Sequence, residues 1–273
     1  MADFLAAAVQ ITSTSDIEAN FSLAEEQIEL ASRRGAELVG LPENFAFLGN
    51  DQQRLDISAS LAEQCSQFLV TMARRYQIFL LGGGFPVPAG DGQRTLNRAE
   101  LVGRDGQLLG RYDKIHLFDV DLPDGNKYRE SETIISGKKL PSVINLPGLC
   151  KVGISICYDV RFPELYRHLV NEGAELLMIP ATFTAFTGKD HWQVLLQSRA
   201  IENTAYVVAP AQTGLHYGRR QSHGHAMIID PWGTVLADAG VQQGSAIAPV
   251  DTSRVQSIRN QMPCLKHRKP ELF

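Results

Sequence analysis

The strongest constraint on the fold of this chain is that it repeats itself. Gly35-Ala-Glu-Leu-Val-Gly-Leu-Pro-Glu-Asn-Phe45 returns as Gly173-Ala-Glu-Leu-Leu-Met-Ile-Pro-Ala-Thr-Phe183. Each copy follows an amphipathic helix, Ile17 to Arg34 in the first half and Pro163 to Glu172 in the second. Each of those helices follows an apolar strand, Leu5 to Ile11 and Val152 to Cys157. A further helix comes after each copy, near Ser60 to Tyr76 and Trp192 to Asn203, and then another strand, from Ile78 and from Ala205. Two copies this far apart do not make a solenoid. They make two β-α-β-α halves. Hairpin patterns close each half: Asn97 to Gly103 turning through Asp105-Gly106 into Leu108 to Tyr112, and Gly224 to Asp230 turning through Pro231 to Gly233 into Thr234 to Ala237. Sheets covered by helices on one face must bury the other face against each other. The expected fold is therefore α/β, a four-layer α-β-β-α sandwich with an internal two-fold pseudo-repeat and reactive groups at strand ends.

The chain has 273 residues, room for one large α/β domain or two small ones, and its 44% hydrophobic content supports a sizeable core. Net charge is −4, which speaks against a basic nucleic-acid surface. No apolar run reaches the roughly 20 residues that a membrane helix needs. The start, Met1 to Gln10, lacks a basic region ahead of its apolar run and reads as a first strand, not a signal peptide. Cys65, Cys150, Cys157 and Cys264 form no CxxC pair and no regular framework, which points to free thiols in a reducing cytoplasm. Their spacing does not suit zinc. His223-Gly-His225 sets two imidazoles on one strand face without a third ligand nearby, so no metal is expected. Asp119 to Lys139, with Pro123, Gly125 and Gly137, has little periodicity and reads as a long ordered loop, a kind of segment that is usually functional. The tail from about 263 to 273 reads as an extension that packs on a neighbour or frays.

Cys157 stands where the apolar strand ends, and Pro163 opens a helix six residues on. A thiol facing a helix start is placed for nucleophilic work, because the positive end of the helix dipole favours thiolate. A lone cysteine is more often a buried core residue. Gly153-Ile-Ser-Ile-Cys157 is not a serine nucleophile elbow, since the last position of G-x-S-x-G is missing, and Ser155 reads as core. Gly82-Gly-Gly84 has no Lys-Ser/Thr after it and reads as a close-packed strand end near the site, not a phosphate loop.

Four segments give Cys157 its company: Leu41-Pro-Glu-Asn-Phe45, Tyr112-Asp-Lys-Ile-His-Leu-Phe118, Arg129-Glu-Ser131 and Ile156-Cys-Tyr-Asp-Val-Arg-Phe-Pro-Glu164. Their order and content resemble the signature segments of the nitrilase (carbon-nitrogen hydrolase) superfamily, and the likeness covers essentially the whole chain as a single domain, 1–273. The resemblance implies Glu43 as general base, Lys114 as oxyanion stabiliser, Cys157 as nucleophile and Glu130 as a second glutamate. The chemistry explains these types. A thiol needs a base before it attacks an amide, and the tetrahedral intermediate needs a cation and N–H donors, among which the N–H of Tyr158 is a candidate. Glu130 has two open roles, holding Lys114 or positioning substrate and water, and Glu132 is its rival in the same loop. No cofactor or metal is implied.

Cys-Tyr-Asp-x-Arg-Phe-Pro-Glu resembles the Nit branch, which acts on ω-amides of dicarboxylic keto acids; nitrile hydrolysis is not expected, because nitrilases typically carry Cys-Trp-Glu. Arg161 is a candidate carboxylate clamp, with a salt bridge to Asp159 or Glu164 as the structural alternative. Thr187 matches a position that assists carboxylate binding in this branch, and Tyr128 and Lys127 are candidates to line the pocket. Two substrates compete: deaminated glutathione, cleaved to 2-oxoglutarate and cysteinylglycine, and 2-oxoglutaramate or 2-oxosuccinamate, cleaved with release of ammonia. Ala211 to Gly214, Ser222 to His225 and Lys266 to Phe273 look more like members acting on the first. From other classes, a redox-sensing thiol or a scaffold with vestigial residues are the alternatives. The resemblance also implies a homodimer or larger even homo-oligomer, with no nucleic-acid or membrane partner.

Overall fold

The computed structural model describes residues 3–218 and 220–272, so Met1, Ala2 and the final Phe273 of the expected first strand and tail lie outside it. The first half runs β1 (Asp3–Ile11), α1 (Ile17–Arg33), β2 (Ala36–Gly40), α2 (Asp51–Tyr76), β3 (Phe79–Pro88), β4 (Thr95–Val102) and β5 (Leu108–Asp113). A small hairpin, β6 (Asp119–Asp121) and β7 (Lys127–Arg129), leads to β8 (Ile144–Asn145). The second half repeats the plan as β9 (Lys151–Ile154), α3 (Pro163–Asn171), β10 (Leu176–Met178), α4 (Ala185–Asn203) and β11 (Tyr206–Ala209). It continues through β12 (Ala211–Leu215), β13 (Gln221–His223), β14 (Met227–Ile229), β15 (Val235–Asp238), β16 (Gly244–Asp251) and α5 (Thr252–Gln261).

The repeat is visible in the pairing. β1, β2 and β3 are parallel neighbours, and β4 and β5 add antiparallel. β9, β10 and β11 are likewise parallel, and β14 and β15 add antiparallel. One sheet has the order β13-β12-β1-β2-β3-β4-β5 with β16 also on β1, and the other has β15-β14-β11-β10-β9-β8. The second half thus lends β12, β13 and β16 to the first half's sheet, which ties the halves together.

Layering follows from strand sequence. β1 reads as an unbroken apolar run because both of its faces are buried. Ala6 and Ala8 join Leu38, Leu81 and the strands of the second sheet in one core. Ala7 and Val9 join Val39, Leu80 and the apolar stripes of α1 and α2 in the other. Small residues let the sheets approach. A Cβ on Gly40 would stand 2.8 Å from the Met178 side chain across the interface. The four-layer α-β-β-α sandwich with its internal repeat is therefore the observed architecture.

Several elements differ from the sequence reading. α2 begins at Asp51 rather than near Ser60, because the Asn50 side chain caps it by accepting from Gln53 N at 2.9 Å. α4 begins at Ala185 rather than Trp192, behind the Thr184 cap. The Asp119 to Lys139 loop contains the β6–β7 hairpin, whose turn has Gly125 at φ 85° and Asn126 N donating to Asp124 Oδ1 at 3.0 Å. The tail folds back on its own chain: Leu265 packs on the core and Arg268 donates to Asn171 Oδ1 on α3 at 2.7 Å.

Gly83 tests the seam between the halves. A Cβ there would lie 2.1 Å from the Leu41 carbonyl oxygen and 2.4 Å from Pro180 Cβ. Gly83→Ala is expected to destabilise by about 1–3 kcal/mol, a fall in Tm of about 2–10 °C for a chain this long. Differential scanning calorimetry checks this, and an unchanged Tm contradicts the tight packing.

Candidate active site

The two copies of the repeated undecapeptide end in turns that face each other. Leu41 N bonds Leu81 O at 2.8 Å and Ile179 N bonds Val208 O at 2.9 Å, so both turns leave their strands in the same way. They then bond across the pseudo-two-fold. Thr182 N donates to Glu43 Oε2 at 2.8 Å, Thr182 Oγ1 donates to Glu43 O at 3.1 Å, and Asn44 Nδ2 donates to Thr182 Oγ1 at 2.9 Å. Gln212 Nε2 adds a bond to Glu43 O at 3.0 Å. A carboxylate that reads as an ordinary loop residue is thereby fixed on its side chain and its backbone.

Cys157 departs from the symmetry. The pairs Ala8↔Gly40 and Ile154↔Met178 put Cys157 in the place that Ile11 holds in the first half, three residues beyond the paired position in each. β1 continues straight through Ile11, whereas Cys157 takes φ 51° and starts a short 3-10 helix that runs to Arg161. A non-glycine residue in the left-handed region costs roughly 1–3 kcal/mol and persists only where its surroundings enforce it. Here they do. Cys157 N donates to Pro180 O at 2.9 Å. The wholly buried Asp159 carboxylate accepts from Ile156 N at 2.9 Å, Tyr112 Oη at 2.8 Å and His116 N at 3.1 Å, and lies 2.7 Å from His116 Nδ1. The His116 ring stacks on Phe162 with centroids 3.6 Å apart. Asp159 thus joins the cysteine turn to the segment that carries Lys114.

Lys114 follows β5 and is 2% exposed. Its Nζ lies 3.0 Å from Glu43 Oε1 and 2.8 and 2.9 Å from the two oxygens of Glu130. Asn97 Nδ2 also donates to Glu43 Oε1, at 2.8 Å, and Phe118 N donates to Glu130 Oε2 at 2.6 Å. Glu130 therefore reaches the buried ammonium, while Glu132 is exposed and absent from the cavity wall.

The charges set the protonation states. Burial by itself would raise Glu43, but the Lys114 charge, with hydrogen bonds from Lys114, Cys157 and Thr182, holds the carboxyl below its ordinary value. Burial pushes the Cys157 thiol up and the Glu43 charge adds to this, with Lys114 opposing. Burial would lower Lys114, but the charges of Glu130 and Glu43 raise it, so it stays an ammonium. This corrects the thiolate expected from a helix dipole. α3 begins only at Pro163, and burial together with the Glu43 charge keeps the cysteine a thiol beside a carboxylate. Such a pair can pass a proton at the moment the sulfur attacks an electrophile.

A cavity of about 310 Å³ opens over these groups. Glu43, Lys114, Glu130, Cys157 and Tyr158 line it, as do Lys127, Tyr128 and Thr187. Among the described residues the Tyr158 N–H has no partner within the chain. Thr187 sits in the first turn of α4, its hydroxyl 2.7 Å from that of Thr184. Arg161 stands apart from the wall. It makes neither proposed salt bridge, its Nη2 lies 3.3 Å from His191 Nδ1, and its guanidinium sits 5.3 and 5.8 Å from the Phe183 and Tyr158 ring centroids. Sequence reasoning missed Asn97, Thr182, Asp159, Arg54 and Arg220. Thr182 had a signal, its place opposite Asn44 in the repeat; the others depend on long-range packing. His223 and His225 stack with centroids 4.7 Å apart, and no set of three metal-binding side chains gathers among the described residues.

The carbon-nitrogen hydrolase family model matches residues 5–260. The chain belongs to the carbon-nitrogen hydrolase family. It is 58% identical over 269 residues to a Synechocystis protein named deaminated glutathione amidase, covering 98% of this chain and 99% of that one. The Caenorhabditis elegans NitFhit crystal structure superposes with a TM-score of 0.94 at 38% identity, covering all of this chain and 66% of that one. Saccharomyces cerevisiae Nit3, a member of branch 10 of the nitrilase superfamily, superposes at 0.86 with 30% identity, covering 99% of this chain and 97% of that one. As a family member the chain is a hydrolase of carbon-nitrogen bonds.

The protonation states predict a pH profile. A base that must be ionised and whose pKa is lowered stays competent as pH falls, so kcat/KM is expected to hold down to about pH 5 and fall only below the ordinary glutamate value of 4.5. An acid limb centred between pH 6 and 7 contradicts the assignment.

Proposed function

We propose that the protein is an amidase that cleaves deaminated glutathione to 2-oxoglutarate and cysteinylglycine through a Cys157 thioester. The observation that carries this reading is the Lys114 ammonium held by Glu43 and Glu130, in one cavity with the Cys157 thiol. The 58% identity to a relative of that name supports the choice of substrate.

In the proposed cycle Glu43 takes the thiol proton as the sulfur attacks the amide carbonyl. The oxyanion forms between Lys114 Nζ and the Tyr158 N–H, an environment in which one such donor is worth about 10²–10³ in rate. The C–N bond breaks as Glu43 gives its proton to the departing nitrogen, and the acyl group remains on sulfur. Water then loses a proton to Glu43, attacks the thioester and releases the acid, and the proton returns to sulfur. Glu130 keeps Lys114 charged and aimed. Thr187 receives the keto-acid carboxylate, with Tyr128 and Lys127 along the wall; Arg161, which lies against the wall residues Tyr158 and Phe183, joins it by turning past those rings.

The assembly is proposed to be a homodimer or larger even homo-oligomer. α4 exposes Val194 and Ile201, and Trp232 is 54% exposed on the turn beside Ile201. All four cysteines are unpaired, as a reducing cytoplasm requires, and no described helix is long and apolar enough to cross a membrane.

Purified protein assayed with deaminated glutathione and with 2-oxoglutaramate is expected to show the higher kcat/KM on the first, and Cys157→Ala is expected to abolish both. Preference for 2-oxoglutaramate moves the substrate to the ω-amidase reading, and activity in Cys157→Ala removes the nucleophile. Arg161→Met is expected to lower kcat/KM for keto-acid amides by one to three orders of magnitude, about 1.4–4 kcal/mol; an unchanged value rejects the clamp. Sedimentation that shows only monomer rejects the oligomer.

A further inference from the structure

The cavity holds two arginines that the cycle above does not use. Arg54 lies in the first turn of α2 and Arg220 closes the turn between β12 and β13, and both line the wall with Tyr128 and Tyr217. Arg54 is partly neutralised. Its Nη2 is 2.9 Å from Asp51 Oδ1 and it also donates to Thr133 Oγ1, while its buried Nε has no partner. Arg220 is not neutralised. Its side-chain bond among the described residues is to the Tyr217 hydroxyl, at 3.3 Å, and no described carboxylate forms a salt bridge with it. Guanidiniums offer only donors to a guest and phenols can donate as well, and the two arginines are near enough to repel each other.

The position is anchored. His216 N bonds Arg220 O and Arg220 N bonds Tyr217 O, both at 3.0 Å, which closes the turn on itself. His216 ties that turn inward through Ser13 O and Ser222 Oγ, each at 2.8 Å. Keeping two like charges in a half-enclosed cavity is unfavourable unless an anion joins them. Asp51 answers Arg54 in part, and Glu43 and Glu130 are committed to Lys114, so no described carboxylate forms a salt bridge with Arg220.

We propose that Arg220, with Arg54 and the Tyr217 and Tyr128 hydroxyls, forms an anion subsite that takes a substrate carboxylate remote from the scissile amide. It is separate from the site proposed for Thr187 and Arg161. It rests on the amidase reading for its place in the reaction, and the guest is recognised as a carboxylate by the planar guanidinium fork. Deaminated glutathione carries two carboxylates; the keto-acid one is assigned above to Thr187 and Arg161, so the one at the glycine end of the leaving group fills this subsite.

The test needs no turnover. Cys157 is alkylated with iodoacetamide, and protection is measured against 2-oxoglutarate and, separately, S-methylcysteinylglycine, whose blocked sulfur leaves the reagent intact, each rate normalised to that variant's unprotected rate. Wild type is expected to be protected by at least one of them. Arg220→Gln is expected to raise the half-protecting concentration of that anion by about tenfold or more, and Arg220→Lys to recover part of the loss. A shift for S-methylcysteinylglycine is the expected result, and a shift for 2-oxoglutarate alone overturns the assignment to the leaving-group carboxylate. Equal protection in wild type and Arg220→Gln for both anions overturns the subsite, as does protection of wild type by neither. If the anions protect but neither keto-acid amide is hydrolysed, the subsite stands and the substrate reading fails.

Discussion

The ammonium of Lys114, buried between Glu43 and Glu130, is the interaction on which the rest of the site depends. Removing one charge of such a cluster from water costs several kcal/mol, and a buried pair broken by loss of one partner costs about 3–5 kcal/mol. Lys114 lowers Glu43 enough to keep it ionised, and Glu130 in turn keeps Lys114 charged. With two carboxylates and one ammonium the cluster carries one net negative charge. Burial, with that excess added, raises the adjacent thiol and keeps it protonated at rest. In the proposed cycle, reactivity is held back until an amide carbonyl arrives to draw on the same ammonium.

The pseudo-two-fold explains how a fold can hold these groups so closely. Pro42-x-x-Phe45 and Pro180-x-x-Phe183 are the same turn twice, and they meet through Glu43, Asn44 and Thr182. Symmetry supplies rigidity, and chemistry appears where symmetry is broken: at Cys157, bent where Ile11 runs straight, and at Glu43, where the second copy has Ala181. The glycines serve the same end. Gly84 has φ 86° and a Cβ there would meet Glu43 Cγ at 3.1 Å, so the backbone of β3 can pass directly behind the carboxylate.

The layers, the repeat and the four side chains that meet in the cavity were legible because each leaves a local trace: apolar runs, helical stripes, a duplicated turn, or a reactive residue type in a recognisable segment. What stayed hidden depends on partners distant in sequence. Asp159 looks like a polar residue in a turn, and only the packing of Tyr112 and His116 shows that it holds that turn. Asn97 sits in a strand whose alternation explains it fully, yet its side chain binds Glu43. Arg54 and Arg220 lie more than a hundred residues apart, and no spacing rule joins them; the first turn of α2 and the β12–β13 turn bring them to one cavity. The helix starts were misjudged because Asn50 and Thr184 cap earlier than the apolar stripes begin.

The proposed cycle stands or falls on whether the Cys157 sulfur carries the acyl group during turnover. The most direct measurement is intact-protein and peptide mass spectrometry of enzyme acid-quenched during turnover of deaminated glutathione. The account predicts one adduct with the mass of a 2-oxoglutaryl group, confined to the Cys157 peptide and absent in Cys157→Ala. Full turnover without any acyl adduct on Cys157, or an adduct on another residue, contradicts it.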